Sequence, residues 1–174
     1  MILSIEEIKQ MPKFANYEMD ELQREMAAIE QAIRSYTNNN FQKRNFRTVG
    51  TIEDGKLYCD APVFKAGDTI EINESKFNEG LYVVSEIDGD VITIADSVDE
   101  TDVLVTKVAY PIDVVMGVIN MLNWDLENRD KVGIQSETIS RHSVTYFNMD
   151  GDNSSMGYPK SLLGFLKPYR KARF

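Results

Sequence analysis

The hydrophobic period of the chain changes twice, and these two changes limit the folds open to it. Apolar residues recur at helical spacing from residue 1 to about 45. From Phe46 to about residue 109 they alternate as in strands, and after Pro111 the helical spacing returns. This pattern predicts a discontinuous helical domain, residues 1–45 and 110–174, interrupted by an inserted β module over residues 46–109. Such an insertion needs the module's ends close together, which small β barrels satisfy. The expected class is α+β: a small helical bundle carrying a small antiparallel β-barrel or sandwich.

Local signals place the elements. Ser4 and Glu7 have capping-box spacing ahead of a short helix that Pro12 ends. Leu22, Met26, Ile29, Ile33 and Tyr36 line one face of a helix from about Met19, and Asn38-Asn39-Asn40 should stop it by competing for backbone hydrogen bonds. Strand-like runs are Phe46–Ile52, Lys56–Cys59, Thr69–Ile72, Leu81–Ile87, Val91–Ala95 and Val103–Val108. Asp54-Gly55 and Asp88-Gly89 are hairpin signals between them. Asp96 to Asp102 reads as a solvated loop. From Asp113 to Glu127 a helix is apolar nearly all round. Val114, Val118, Ile119 and Leu122 are expected in the core, with part of the remaining apolar surface meeting a neighbouring subunit. Ser143 to Phe147 reads as a strand and Met149 to Gly157 as a polar loop. A last helix should open at Pro159, with Pro168 limiting it.

The chemistry expected of these residues is sparse. One cysteine, Cys59, and one histidine, His142, exclude disulfides, four-Cys zinc sites and multi-His metal sites. Both read as structural residues. Asn148, Asp150, Asp152 and Ser154 alternate like calcium ligands, but the Gly and Glu of a calcium loop are missing in either register. No phosphate-binding or dinucleotide motif occurs. No catalytic residues, cofactor or metal are therefore expected. The longest charge-free apolar stretch, Val114 to Trp124, is too short to span a membrane, and the chain is expected to be made in the cytoplasm.

Charge is distributed unevenly. The net charge of −9 repels polyphosphate at long range. Yet Lys160 to Phe174 holds Lys160, Lys167, Arg170, Lys171 and Arg173 and no acidic residue. Either these cations complement a helix dipole, or Lys167, Tyr169, Arg170, Lys171, Arg173 and Phe174 form a docking arm for an acidic surface. The docking reading expects Tyr169 to Phe174 to be extended or poorly ordered in the isolated protein, so that their removal leaves the melting temperature nearly unchanged.

Several segments carry a family resemblance. Ile33-Arg34-Ser35-Tyr36-Thr37-Asn38-Asn39-Asn40-Phe41 and Ser136-Glu137-Thr138-Ile139 with His142-Ser143-Val144-Thr145-Tyr146 resemble the head–tail connector (adaptor) proteins of tailed double-stranded DNA phages. So does Gly157-Tyr158-Pro159 through Leu166-Lys167-Pro168-Tyr169-Arg170. Within the insert, Gly67–Ile72 and Asn78–Val84 are similar to segments of phage connector proteins. The resemblance implies a connector-type bundle and a non-catalytic virion protein of the phage neck. It implies a ring, usually twelvefold, that binds the portal protein, supports the stopper or tail-completion protein, and passes DNA without sequence-specific binding. The competing reading is a non-viral binding module whose β barrel recognises a peptide or nucleic acid.

Overall fold

A computed structural model describes residues 1–60, 64–94, 96–132, 134, 136–139, 142–145, 150 and 152–172. The chain divides into two compact units, Met1–Glu7 with Asn40–Tyr110 and Ile8–Asn39 with Pro111–Phe174.

The first unit is built on alternation. Its strands are β1 (Gln42–Glu53), β2 (Lys56–Cys59), β3 (Thr69–Asn73), β4 (Gly80–Val83), β5 (Glu86–Asp88), β6 (Val91–Thr93) and β7 (Glu100–Val108). They form one antiparallel sheet in the order β4-β3-β7-β1-β2-β6-β5. Ile52, Leu57, Ile70, Ile72, Ile92, Val103 and Val105 point to one face and are buried there with Phe64 and Val84. Glu53 pairs with Lys56 across the two-residue turn Asp54-Gly55. Both turn residues have positive φ, as a type I′ turn requires.

The edge strands β4 and β5 follow one another in sequence, and their connection curls the sheet into a half-barrel. Val84 N–H donates to the Asp68 carbonyl and Ser85 N–H to the Thr93 carbonyl. Those two acceptors flank opposite edges of the sheet. The run Leu81–Ile87 is therefore two strands rather than one.

Gly50, in the last third of β1, leaves no room for a side chain against β2. A Cβ there would lie 2.8 Å from Leu57 Cδ1, 2.9 Å from the Tyr58 carbonyl oxygen and 3.0 Å from Cys59 Cβ. The β1–β7 register also shifts between Gly50 and Ile52 and again between Gln42 and Arg47. Bulges of this kind bend a strand.

The second unit holds the two long helices, α2 (Met19–Thr37) and α3 (Ile112–Asn128). They follow a one-turn helix, α1 (Ile5–Lys9), whose capping box forms as expected. Ser4 N–H and hydroxyl donate to the Glu7 carboxylate, and Glu7 N–H donates to Ser4 Oγ. The stop after α2 is a backbone device. Asn38 takes a left-handed conformation at φ 49°, and its N–H donates to the Arg34 carbonyl. On α3, Val114, Val118 and Leu122 are buried with Gly117 and Met121, while Ile119 is half-buried. Beyond α3 lie a 3₁₀ turn (Arg129–Lys131), a hairpin of β8 (Ser136–Ile139) and β9 (His142–Thr145), a small hairpin of β10 (Ser154–Ser155) and β11 (Tyr158–Pro159), and a 3₁₀ helix (Gly164–Tyr169).

This architecture corrects the expected class. The molecule is not a connector-type helical bundle with an inserted barrel or sandwich, because its largest element is the seven-stranded half-barrel sheet. Among the described residues only α2 and α3 exceed six helical residues, and two helices do not make a bundle. The stretch after Pro159, which the apolar spacing marks as helix, is instead turns and a 3₁₀ helix with Pro168 inside it. A proline ring cannot donate to the ladder and clashes with the preceding turn. Strand β7 also begins at Glu100, inside the stretch read as a solvated loop.

Two substitutions test this packing. Gly50→Ala should destabilise the protein by about 1–3 kcal/mol through overpacking against a backbone carbonyl. Leu122→Ala, at a site 1% exposed, should cost about 2–5 kcal/mol. Urea unfolding followed by circular dichroism measures both.

Candidate functional site: the basic C-terminal segment

The C-terminal segment is fastened along its length. Tyr169 hydroxyl lies 2.7 and 2.8 Å from the two Asp113 carboxylate oxygens at the start of α3. That bond to a carboxylate raises the phenol's pKa. Asn39 Nδ2 donates to the Tyr169 carbonyl at 3.2 Å, and Asn38 Nδ2 to the Ala172 carbonyl at 2.9 Å. Lys171 N–H donates to the Thr37 carbonyl at 2.7 Å, and the Arg170 guanidinium stacks 5.2 Å from the Tyr36 ring centre. The asparagine run after α2 thus supplies the clamps that hold the segment.

Arg170 takes the expected extended conformation, but as far as Ala172 the segment is fastened rather than poorly ordered. Its backbone polar groups find partners on the end of α2, and its phenol finds one on α3. Arg173 and Phe174 lie outside the described residues. The side chains of Lys167, Arg170 and Lys171 remain exposed, so the fastened segment still presents three cations to solvent.

The same segment walls a groove along α3. Ile112, Asp113, Met116, Gly117 and Asn120 form one side, and Ser161, Leu162 and Phe165 the other, around about 490 Å³. Gly117 permits this closeness. A Cβ on it would lie 2.4 Å from the Phe165 ring, so only a bare helix backbone admits that ring. Ile112 is 75% exposed and Met116 51%. The expected apolar surplus of α3 thus opens to solvent at its first two turns, away from the buried Val114, Val118 and Leu122.

A second cluster stiffens the far end of α3. Tyr158 hydroxyl donates to Asp125, Arg129 pairs with the same carboxylate, and the guanidinium lies over the Trp124 and Tyr158 rings. Burial raises the Asp125 pKa despite these partners, and burial together with Asp125 raises that of Tyr158. The cluster closes on itself and reads as structural.

In the sheet unit one end carries a preorganised loop. Glu100 opens β7 and accepts from Ser75 Oγ at 2.5 Å, Lys76 N–H at 2.6 Å, Phe77 N–H at 3.3 Å and Asn78 Nδ2 at 2.8 Å. These donors hold its carboxyl down at about 2. Asn78 also locks onto Val98, accepting from its N–H at 2.7 Å and donating to its carbonyl at 2.9 Å. Phe77, 60% exposed, and Val98, 53% exposed, are thereby fixed beside one another's anchors.

The remaining candidates are structural where they are described. Cys59 is buried in the sheet core, and desolvation pushes its thiol up to about 11. Asp150 Oδ1 accepts from Asp152 N–H, Asn153 N–H and Asn153 Nδ2, so this carboxylate caps its own loop. Asn148 and the His142 side chain lie outside the described residues. Glu100, Asn78 and the Gly117–Phe165 contact were not singled out in the sequence, because each acts through partners distant in the chain.

Comparison with protein-family models, curated proteins and solved structures returns no match to this chain.

Deleting residues 169–174 should lower the melting temperature, since several bonds to α2 and α3 go with them. A loss of about 1 kcal/mol shifts a chain of this size by about 2–4 °C, which differential scanning calorimetry resolves. The Glu100 carboxyl titrates lower folded than unfolded. Its contribution is therefore present above the ordinary carboxylate range, near 4.5, and is lost as pH falls toward about 2. Glu100→Gln should flatten the pH dependence of stability in that window, as read by urea midpoints at stepped pH.

Proposed function

We propose that this chain is a structural virion protein of a tailed double-stranded DNA phage. In this reading it forms the ring that joins the portal of the head to the tail or stopper. The ring continues the DNA channel without sequence-specific binding, and its place is the virion neck. The reading starts from the connector-like segments at residues 33–41, 136–146 and 157–170.

The observation that carries it is the fastened basic segment. Lys167, Arg170 and Lys171 stand exposed on a strip held to α2 and α3 by the Tyr169 hydroxyl, the Asn38 and Asn39 side-chain amides and the Lys171 backbone N–H. A cationic strip already ordered loses little conformational entropy on docking to an acidic portal surface. Net acidity elsewhere suits a lumen through which DNA slides, since like charge keeps the phosphate backbone from sticking.

The charge reversal Lys167→Glu with Lys171→Glu separates docking from folding, because both side chains are solvent-exposed. It should leave the melting temperature within about 2–4 °C of the parent and abolish attachment to portal-bearing heads in a sedimentation assay. Normal attachment by the reversed protein would overturn the docking reading.

A further inference from the structure

The cations of the sheet unit gather along its longest strand. Of residues 40–110, every carboxylate lies between Glu53 and Asp102, whereas Asn40 to Ile52 holds Lys43, Arg44 and Arg47 and no acidic residue. The register of β1 against β7 cannot keep that stretch in the ladder. Gln42 pairs with Val108 and Arg47 with Thr106, so residues 43–46 stand opposite Lys107 alone. A strand with four residues facing one must bulge, and bulges re-aim the side chains they carry. Lys43, Arg44, Asn45 and Arg47 are exposed, and Phe46 is half-buried.

Hydrogen bonds fix the base of the bulge. Arg47 Nε donates to Thr106 Oγ1 at 2.9 Å, and its Nη2 donates to Gln42 Oε1 at 3.1 Å. Gln42 Nε2 in turn donates to Glu71 at 2.8 Å and to Asn73 at 2.9 Å, and Asn40 Nδ2 donates to Glu71 at 3.2 Å. The buried Glu71 is thus held by amides. Arg47 is held by neutral oxygens, and the remaining N–H groups of its fork have no protein partner among the described residues. Among those residues no carboxylate is ion-paired with Lys43, Arg44 or Arg47. Lys107, opposite the bulge, is by contrast paired with Asp68.

We infer that the β1 bulge, Lys43 to Arg47, binds the phosphodiester backbone of double-stranded DNA. The bulge offers positive charge and polar donors and exposes no apolar side chain. A protein interface is organised round an apolar centre. The nearest exposed apolar residue along β1 is Val49, a residue type scarce among hot spots. Phosphate oxygens need only cations and polar donors, and Lys, Arg and Asn supply them. The net charge of −9 opposes approach at a distance. At physiological salt, charges more than about 8 Å apart are largely screened, so the cations of the bulge decide the contact. About three phosphate contacts carry no sequence information and let a duplex slide. The inference rests on the channel reading above for its setting, and it assigns the β1 bulge, not the C-terminal strip, to the DNA.

Fluorescence anisotropy of labelled duplex DNA, titrated with the purified full chain, tests it without any phage component. The wild-type protein should bind duplexes of unrelated sequence equally. The logarithm of its association constant should fall against that of salt with a slope of about −2.7 when all three cations engage. Arg44→Gln should shrink that slope by about one. Lys43→Glu with Arg44→Glu should weaken binding about tenfold or more, with a thermal melt matching the wild type, because both side chains are exposed. Lys167→Glu with Lys171→Glu, on the C-terminal strip, should bind DNA as the parent does. A wild-type protein that leaves DNA free at about 50 mM salt would overturn the inference. So would a bulge variant that binds as tightly as the parent, or a loss confined to the strip variant. Poly-L-glutamate that displaces DNA at equal concentration of charge would overturn it too, and would give the bulge to an acidic protein surface. Head attachment is read separately. A strip variant that still attaches to heads loses portal docking and leaves this inference standing, whereas a chain that attaches but leaves DNA free does the reverse.

Discussion

The pairing of β1 with β7 is the constraint on which the sheet unit depends. Both strands are central, and β7 receives β3 on its other side while β1 receives β2. Every other strand attaches to this pair directly or through one neighbour, apart from β5 at the edge. Because the strands are distant in sequence, their register is set by packing rather than by a turn. Val103 and Val105 share the core with Ile52, Leu57, Ile70 and Ile72, and a one-residue slip would turn those side chains outward. Gly50 lets β1 pass close to β2, where a Cβ would meet Leu57, the Tyr58 carbonyl and Cys59.

Charge follows the same division as packing. The sheet unit is acidic and the helix-containing unit is neutral overall, with its cations concentrated in the last fifteen residues. The Asp113–Tyr169 bond and the Asn38 and Asn39 clamps turn the basic segment, as far as Ala172, into an ordered surface. The 3₁₀ helix carries Lys167 in its last turn, where a cation complements the helix dipole, while Arg170 and Lys171 lie beyond its end.

Glycine and asparagine carry more of the site than its charges alone indicate. Gly117 admits the Phe165 ring against the α3 backbone and so makes the groove. Asn38 ends α2 by adopting a left-handed backbone and then reaches back to hold Ala172. Asn78 joins the 75–78 turn to Val98. In each case a small or short polar residue fixes geometry that bulkier neighbours present to solvent.

The sequence by itself determined the local elements. The four-and-three spacing of Leu22, Met26, Ile29 and Ile33 marks α2, the Ser4–Glu7 spacing marks the cap of α1, and Asp54-Gly55 marks the β1–β2 turn, because each rests on interactions between residues close in the chain. The burial of Val114, Val118 and Leu122 follows from helical period in the same way, and the charge bias of the C-terminus is visible from composition. Tertiary structure alone decided that the strands close into one curled sheet, that the helical segments make no bundle, and that the stretch after Pro159 folds as turns. It also decided that the basic arm is pinned as far as Ala172, and that Glu100 leaves its acidic loop to accept from the Phe77 N–H and, through Asn78, to brace Val98. These features depend on partners tens of residues away, where periodicity carries no signal and only packing and hydrogen-bond geometry select the pairing.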